Sequence, residues 1–234
     1  WPCGRALSRP IKRPPRVSEP TSAPSTAYSR AGWLGLCALL GVPAMLLAPV
    51  PLSLPPTEWP PLAQALACQP ALGWAQPLHS WWTSAWLHGS DAHRATNLGA
   101  LLLLAIMGGL PALSRGAALA WFLAWPLTQM GLLLQPDPIA SYAGLSGVLH
   151  AGLVVVSLHA LAANHPRFPR WMAALLLLGV VAKLIMENPF AHRLVQPAGS
   201  DITVVPWVHL SGTVAGLLCA LFTCLWRPSV SNTT

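Results

Sequence analysis

Three short strings hold the residues best suited to bond-making chemistry. The first is Gly144-Leu145-Ser146-Gly147, a hydroxyl set among glycines at the opening of an apolar run. Small neighbours let another backbone approach the serine, and a helix starting there leaves amide donors free to face a developing negative charge. The same string also reads as a helix N-cap followed by small-residue packing. The second is His209 in HLSGTVAG, followed at helical spacing by Gly212 and Gly216. That row of small residues lets a neighbouring helix dock through Gly147 and Ala151, carrying His209 toward Ser146. A neutral imidazole so placed takes a serine proton as a general base. Taken alone, His209 reads equally well as an interhelical hydrogen-bonding residue.

The third string runs from His88 through His93 to Asn97. His93 and Asn97 are four residues apart and project from one face if the helix has begun by His93. Side-chain donors set together can receive an oxyanion during acyl transfer. A zinc site is the competing reading for His88 and His93, but no Cys or Glu completes a ligand set at helical spacing, so no metal is expected. His150 lies one turn after Ser146 on the same face, where it can stack on His209 or line a cleft. His159, deeper in the same run, reads as interfacial; His79, His165 and His192 fall in loops.

The elements that must carry these residues follow from composition. The 234 residues are 54% hydrophobic and only 8% charged, with a mean hydropathy of +0.53. Soluble domains run near a quarter charged, so this chain reads as a polytopic, all-α membrane protein. Its formal charge of +7 is no nucleic-acid footprint, because six of the 13 Lys and Arg lie in the first 30 residues and the rest punctuate apolar runs. The five Cys form neither a metal-like pairing nor a disulfide framework; Cys68 alone falls in an outer loop, with no evident partner.

Spanning the hydrocarbon takes about 20 apolar residues as a helix. Six such runs occur: Trp33 to Val50, Asn97 to Leu113, Ala117 to Leu134, Leu145 to Ala162, Trp171 to Met186 and Val204 to Trp226. Lys183, in the fifth, can snorkel to the interface. Between the first two runs, seven Pro from Pro51 to Pro77 forbid a regular spanning helix. Trp59, Trp74, Trp81, Trp82 and Trp86 in that loop suit a membrane interface.

Residues 1–30 read as a disordered basic cytosolic tail, 31–228 as the six-span unit and 229–234 as a short C-terminal tail. The first residues include no initiator Met, which suggests processing or truncation. They also lack a signal peptide's apolar core and cleavage site, so the first run is expected to stay as an anchor. With both termini cytosolic, Arg115, Arg167, Arg170 and Arg227 fall inside, while Glu58, Asp91, Asp137, Glu187 and Asp201 fall outside. Only Arg94 and Arg193 oppose the positive-inside pattern. His93, Asn97, Ser146, His150 and His209 then share a depth near the outer side. No internal repeat is seen, and polar groups gathered toward one side argue against a transporter with a proton relay.

Together, H-x-x-x-x-H-x-x-x-N before the second run, G-x-S-G at the head of the fourth and H-x-x-G-x-x-x-G in the sixth resemble the rhomboid intramembrane serine proteases. The string from Tyr142 to His150, YAGLSGVLH, is similar to the rhombosortase branch. The resemblance covers roughly Trp33 to Trp226. It implies a six-transmembrane-helix rhomboid-like bundle with Ser146 as nucleophile and His209 as base, a dyad without a third acidic member. It also implies an oxyanion hole of His93, Asn97 and the Ser146 amide, with His150 stacked on the base and Gly144, Gly147 and Gly212 supporting the site. His88 matches a further His of the family and is expected to order the loop. Two departures are the absence of an outer-loop Trp-Arg pair and Ala151 where Gly is frequent. The implied substrates are secreted or surface proteins with a C-terminal Gly-Gly motif, a transmembrane anchor and a basic end. The implied location is the bacterial inner membrane, with the site toward the outer side and no cofactor. The alternative is a catalytically inactive rhomboid-like protein that binds transmembrane clients, against which both Ser146 and His209 argue.

Overall fold

The computed structural model describes residues 30–52, 54–109, 113, 115–163, 168–196, 198–199, 201 and 203–225. Both expected tails, apart from Arg30, and Arg167, His165 and Arg227 lie outside the described residues. Six long helices carry the fold: α1 (Arg30–Leu46), α4 (Asp91–Gly109), α5 (Arg115–Met130), α6 (Ser146–Ala163), α7 (Arg170–Glu187) and α8 (Pro206–Leu225). Two short ones, α2 (Pro61–Leu66) and α3 (Ser80–Thr83), lie in the loop between α1 and α4. Among the described residues the only β pairing is two isolated bridges.

Three helical stretches are long and apolar enough to cross a membrane: Arg115–Leu134, Ser146–Ala163 and Pro206–Leu225, with mean hydropathies of 1.5, 1.7 and 1.8. The other three expected spans fall short of that description. Helix α1 is apolar but has 17 residues. Helix α4 opens on Asp91, His93, Arg94, Thr96 and Asn97, and α7 carries Arg170, Lys183 and Glu187. All three nevertheless pack into the same bundle.

Helix α6 is the centre, packed against α4, α5, α7 and α8. Apart from His150 and His159 its residues are apolar or small on every side, which suits a helix packed against four neighbours. The α6–α8 contact is set by glycine. A Cβ on Gly212 would sit 2.0 Å from the Gly147 carbonyl oxygen, and one on Gly216 would sit 2.6 Å from that of Ala151. Side-chain-free backbones thus touch along two turns, as small-x-x-x-small rows permit. Helix α8 is locked against α5 by Ser211 Oγ–H on the Thr128 carbonyl (2.8 Å), and against the turn that follows α5 by Trp207 Nε1–H on the Gly131 carbonyl (2.8 Å). Helix α1 buries Trp33, Leu36, Cys37, Leu40 and Ala44 along one stripe, and Trp33 Nε1–H reaches the Leu104 carbonyl of α4 at 2.8 Å. The outward faces stay apolar: Leu102, Leu103 and Ile106 on α4, Leu175 and Leu178 on α7, and Leu218 and Phe222 on α8 are exposed.

The proline-rich loop forms only short turns, the longest six residues. It does not present all its tryptophans to an interface: Trp59 and Trp81 are buried inside protein, while Trp74 is exposed. Cys68 is buried and free, and its backbone pairs with Tyr142 through N–H to carbonyl bonds of 3.1 and 2.7 Å. The Gly144 amide donates to the Ser84 carbonyl at 3.0 Å. The loop therefore clamps the extended segment that delivers Ser146 to the start of α6.

Candidate active site

Ser146 is the first residue of α6, and His209 is the fourth of α8. The glycine contact between these helices brings Ser146 Oγ and His209 Nε2 to 2.9 Å, and His209 is 3% exposed. The opposite ring nitrogen, Nδ1, lies 2.7 Å from Glu187 Oε2 at the end of α7. Glu187 Oε1 in turn accepts from Lys183 Nζ at 2.7 Å. The expected pair without an acidic member is thus a chain of four groups, Ser146, His209, Glu187 and Lys183. Lys183 does not merely snorkel: its ammonium is held by Glu187, and the residue lines the same cavity as Ser146.

The imidazole of His150 stacks on that of His209, with centroids 4.2 Å apart and planes 18° from parallel. Its Nδ1–H donates to the Ser146 carbonyl at 2.8 Å, which fixes the ring. One face of the His209 ring is therefore covered by a flat neighbour.

Helix α4 begins at Asp91, six residues before the expected span. The Ser90 hydroxyl accepts the His93 amide at 3.1 Å, a side-chain cap that starts the helix early. His93 and Asn97 consequently share a face, and both line a cavity of about 490 Å³ with Ser146, His150 and His209. Asn97 is 5% exposed, and its Nδ2 is a buried donor without a hydrogen-bond partner among the described residues. Such a group costs free energy unless something arrives to accept from it. The cavity is otherwise lined mostly by apolar side chains, among them Leu103, Leu104, Leu149 and Leu153. Gly144 lies beside it, where a Cβ would meet the Tyr142 hydroxyl at 3.0 Å and His93 at 3.5 Å.

His88 packs edge-on against His93 with centroids 5.1 Å apart. Its Nδ1–H donates to the Trp86 carbonyl (3.2 Å) and its own carbonyl accepts the Val50 amide (2.8 Å), a loop-ordering arrangement. Burial, followed by the neighbouring His93, pushes its pKa down to about 4. Among the described residues no three His, Cys, Asp or Glu side chains converge as metal ligands. His159 is buried and bonded to Thr223 of α8 at 3.1 Å rather than placed at an interface. Its role is to join α6 to α8 at the end away from Ser146.

Glu187 is the residue that sequence reading passed over as an outer-side charge. A signal was present: Lys183 and Glu187 are four apart at the end of an apolar helix, and a charge pair in such a place has a partner to serve.

No family model and no curated protein matches the chain.

Proposed function

We propose that this chain is a rhomboid-type intramembrane serine endopeptidase of the rhombosortase kind. The observation that carries the reading is the 2.9 Å contact between Ser146 Oγ and His209 Nε2 at a cavity that also holds the Asn97 amide, which has no hydrogen-bond partner among the described residues. His209 takes the Ser146 proton as Oγ attacks the substrate carbonyl. The carbonyl oxygen becomes an oxyanion, received by the Asn97 and His93 side chains and the Ser146 amide at the α6 N-terminus. Collapse of the tetrahedral species breaks the C–N bond, and the imidazolium of His209 returns the proton to the leaving amine. Water, activated by the same imidazole, then hydrolyses the acyl-enzyme.

In this reading all six long helices span the bilayer, both termini face the cytosol, and the site opens toward the outer side of a bacterial inner membrane. A scissile bond in a lipid-embedded helix is shielded because its carbonyls are already bonded, so unwound Gly-rich segments are the accessible ones. Secreted or surface proteins with a C-terminal Gly-Gly motif ahead of an apolar anchor fit that requirement, and cleavage releases them from the membrane.

The test is co-expression with a tagged protein ending in a Gly-Gly motif, apolar helix and basic tail. Wild type is expected to release the tagged protein, and Ser146→Ala and His209→Ala to leave it anchored. Full release by Ser146→Ala would contradict the mechanism.

A further inference from the structure

The carboxylate of Glu187 is in an expensive position. It closes α7, where the helix dipole disfavours negative charge, and it lies beside an apolar bundle where an unpaired ion is costly. Both its oxygens are nevertheless engaged, one by Lys183 and one by His209, each at 2.7 Å, and the side chain is only 14% exposed. The backbone around it is fixed as well: Asn188 turns into the left-handed region at φ 44°, and His192 Nδ1–H donates to the Glu187 carbonyl at 3.1 Å.

We infer that Glu187 is a positioning residue for the base, completing a Ser146–His209–Glu187 triad whose carboxylate is oriented by Lys183. An ionised carboxylate only accepts hydrogen bonds, so His209 Nδ1 must carry the ring proton. That leaves the Nε2 lone pair facing Ser146 Oγ, the tautomer a general base requires. When Nε2 takes the serine proton, the imidazolium formed faces a carboxylate 2.7 Å away and the proton stays on the ring. Lys183, one turn earlier on α7, holds the other oxygen and keeps the carboxylate aimed. His150 covers the ring face, so tautomer and tilt of His209 are set by different neighbours.

The inference rests on the proposed role of Ser146, and its test separates the two. Steady-state cleavage of the Gly-Gly substrate is measured for wild type, Glu187→Gln and Glu187→Ala. In parallel, the rate at which a fluorophosphonate probe attaches to Ser146 is followed for each. Glu187→Gln, nearly isosteric, is expected to lower kcat by about 100- to 10,000-fold with KM within about threefold of wild type. Glu187→Ala is expected to regain part of its rate in added formate, which supplies the missing carboxylate. A Glu187→Gln kcat within about threefold of wild type overturns the inference. So does a loss that formate leaves untouched in Glu187→Ala, because a mere strut between α7 and α8 would behave that way. A wild type that takes the probe at Ser146 but spares the substrate overturns the substrate reading alone, and the Glu187 comparison is then read from labelling rates. A wild type that does neither overturns both.

Discussion

Gly212 of α8 rests directly on the Gly147 carbonyl of α6, so close that a single added methyl would sit 2.0 Å from its oxygen. The 2.9 Å approach of His209 to Ser146 depends on this contact, because each member of the pair lies within one turn of it. Gly212→Ala is therefore expected to push the helices apart, costing about 1 to 3 kcal/mol of stability. It should also abolish most turnover, since misplacement by about 1 Å costs on the order of 100-fold. Thermal unfolding in detergent alongside the cleavage rate checks both. Wild-type activity in Gly212→Ala would show that the helix contact does not set the pair.

Asn97 offers a buried amide with nothing among the described residues to accept from it. If that amide receives the oxyanion, Asn97→Ala lowers kcat by about 10- to 1,000-fold while leaving KM and folding close to wild type. The kcat and KM of the variant decide this. An unchanged kcat would remove Asn97 from the site.

His88 supplies a pH signature distinct from catalysis. Its pKa in the folded loop is about 4, against an ordinary value of 6.5. The unfolded chain therefore binds the proton first on acidification, and the stability His88 contributes above pH 6.5 is lost as pH falls through that window toward 4. Melting temperatures at several pH values should fall more steeply for wild type than for His88→Gln across this range. Parallel curves would contradict a buried neutral His88.

The pairing of Ser146 with His209 was legible because it depends on local pattern: a glycine row at helical spacing on one helix and small residues at the head of another. The stacking place of His150 followed from the same one-turn periodicity. The spacing of Lys183 and Glu187 signals that the pair serves a partner, but not that the partner is His209, since the 22-residue separation spans a helix end, a left-handed turn at Asn188 and a loop. The early start of α4 turned on one serine cap, a cue that hydropathy cannot register. Residue type alone suits Trp59 and Trp81 to an interface, but the proline-rich loop folds back and buries them. Three of the six expected spans meet the length and apolarity of a membrane crossing; α4 and α7 miss it because they carry polar and charged groups, several of them facing the cavity.

The proposed mechanism turns on activation of Ser146 as a nucleophile by His209. Its most direct measurement is mass-spectrometric mapping of a fluorophosphonate adduct on the folded wild-type protein and on His209→Ala. One adduct is expected, on Ser146, formed at least about 100-fold more slowly when His209 is removed. An adduct on another residue, or equal labelling of Ser146 in both proteins, would contradict it.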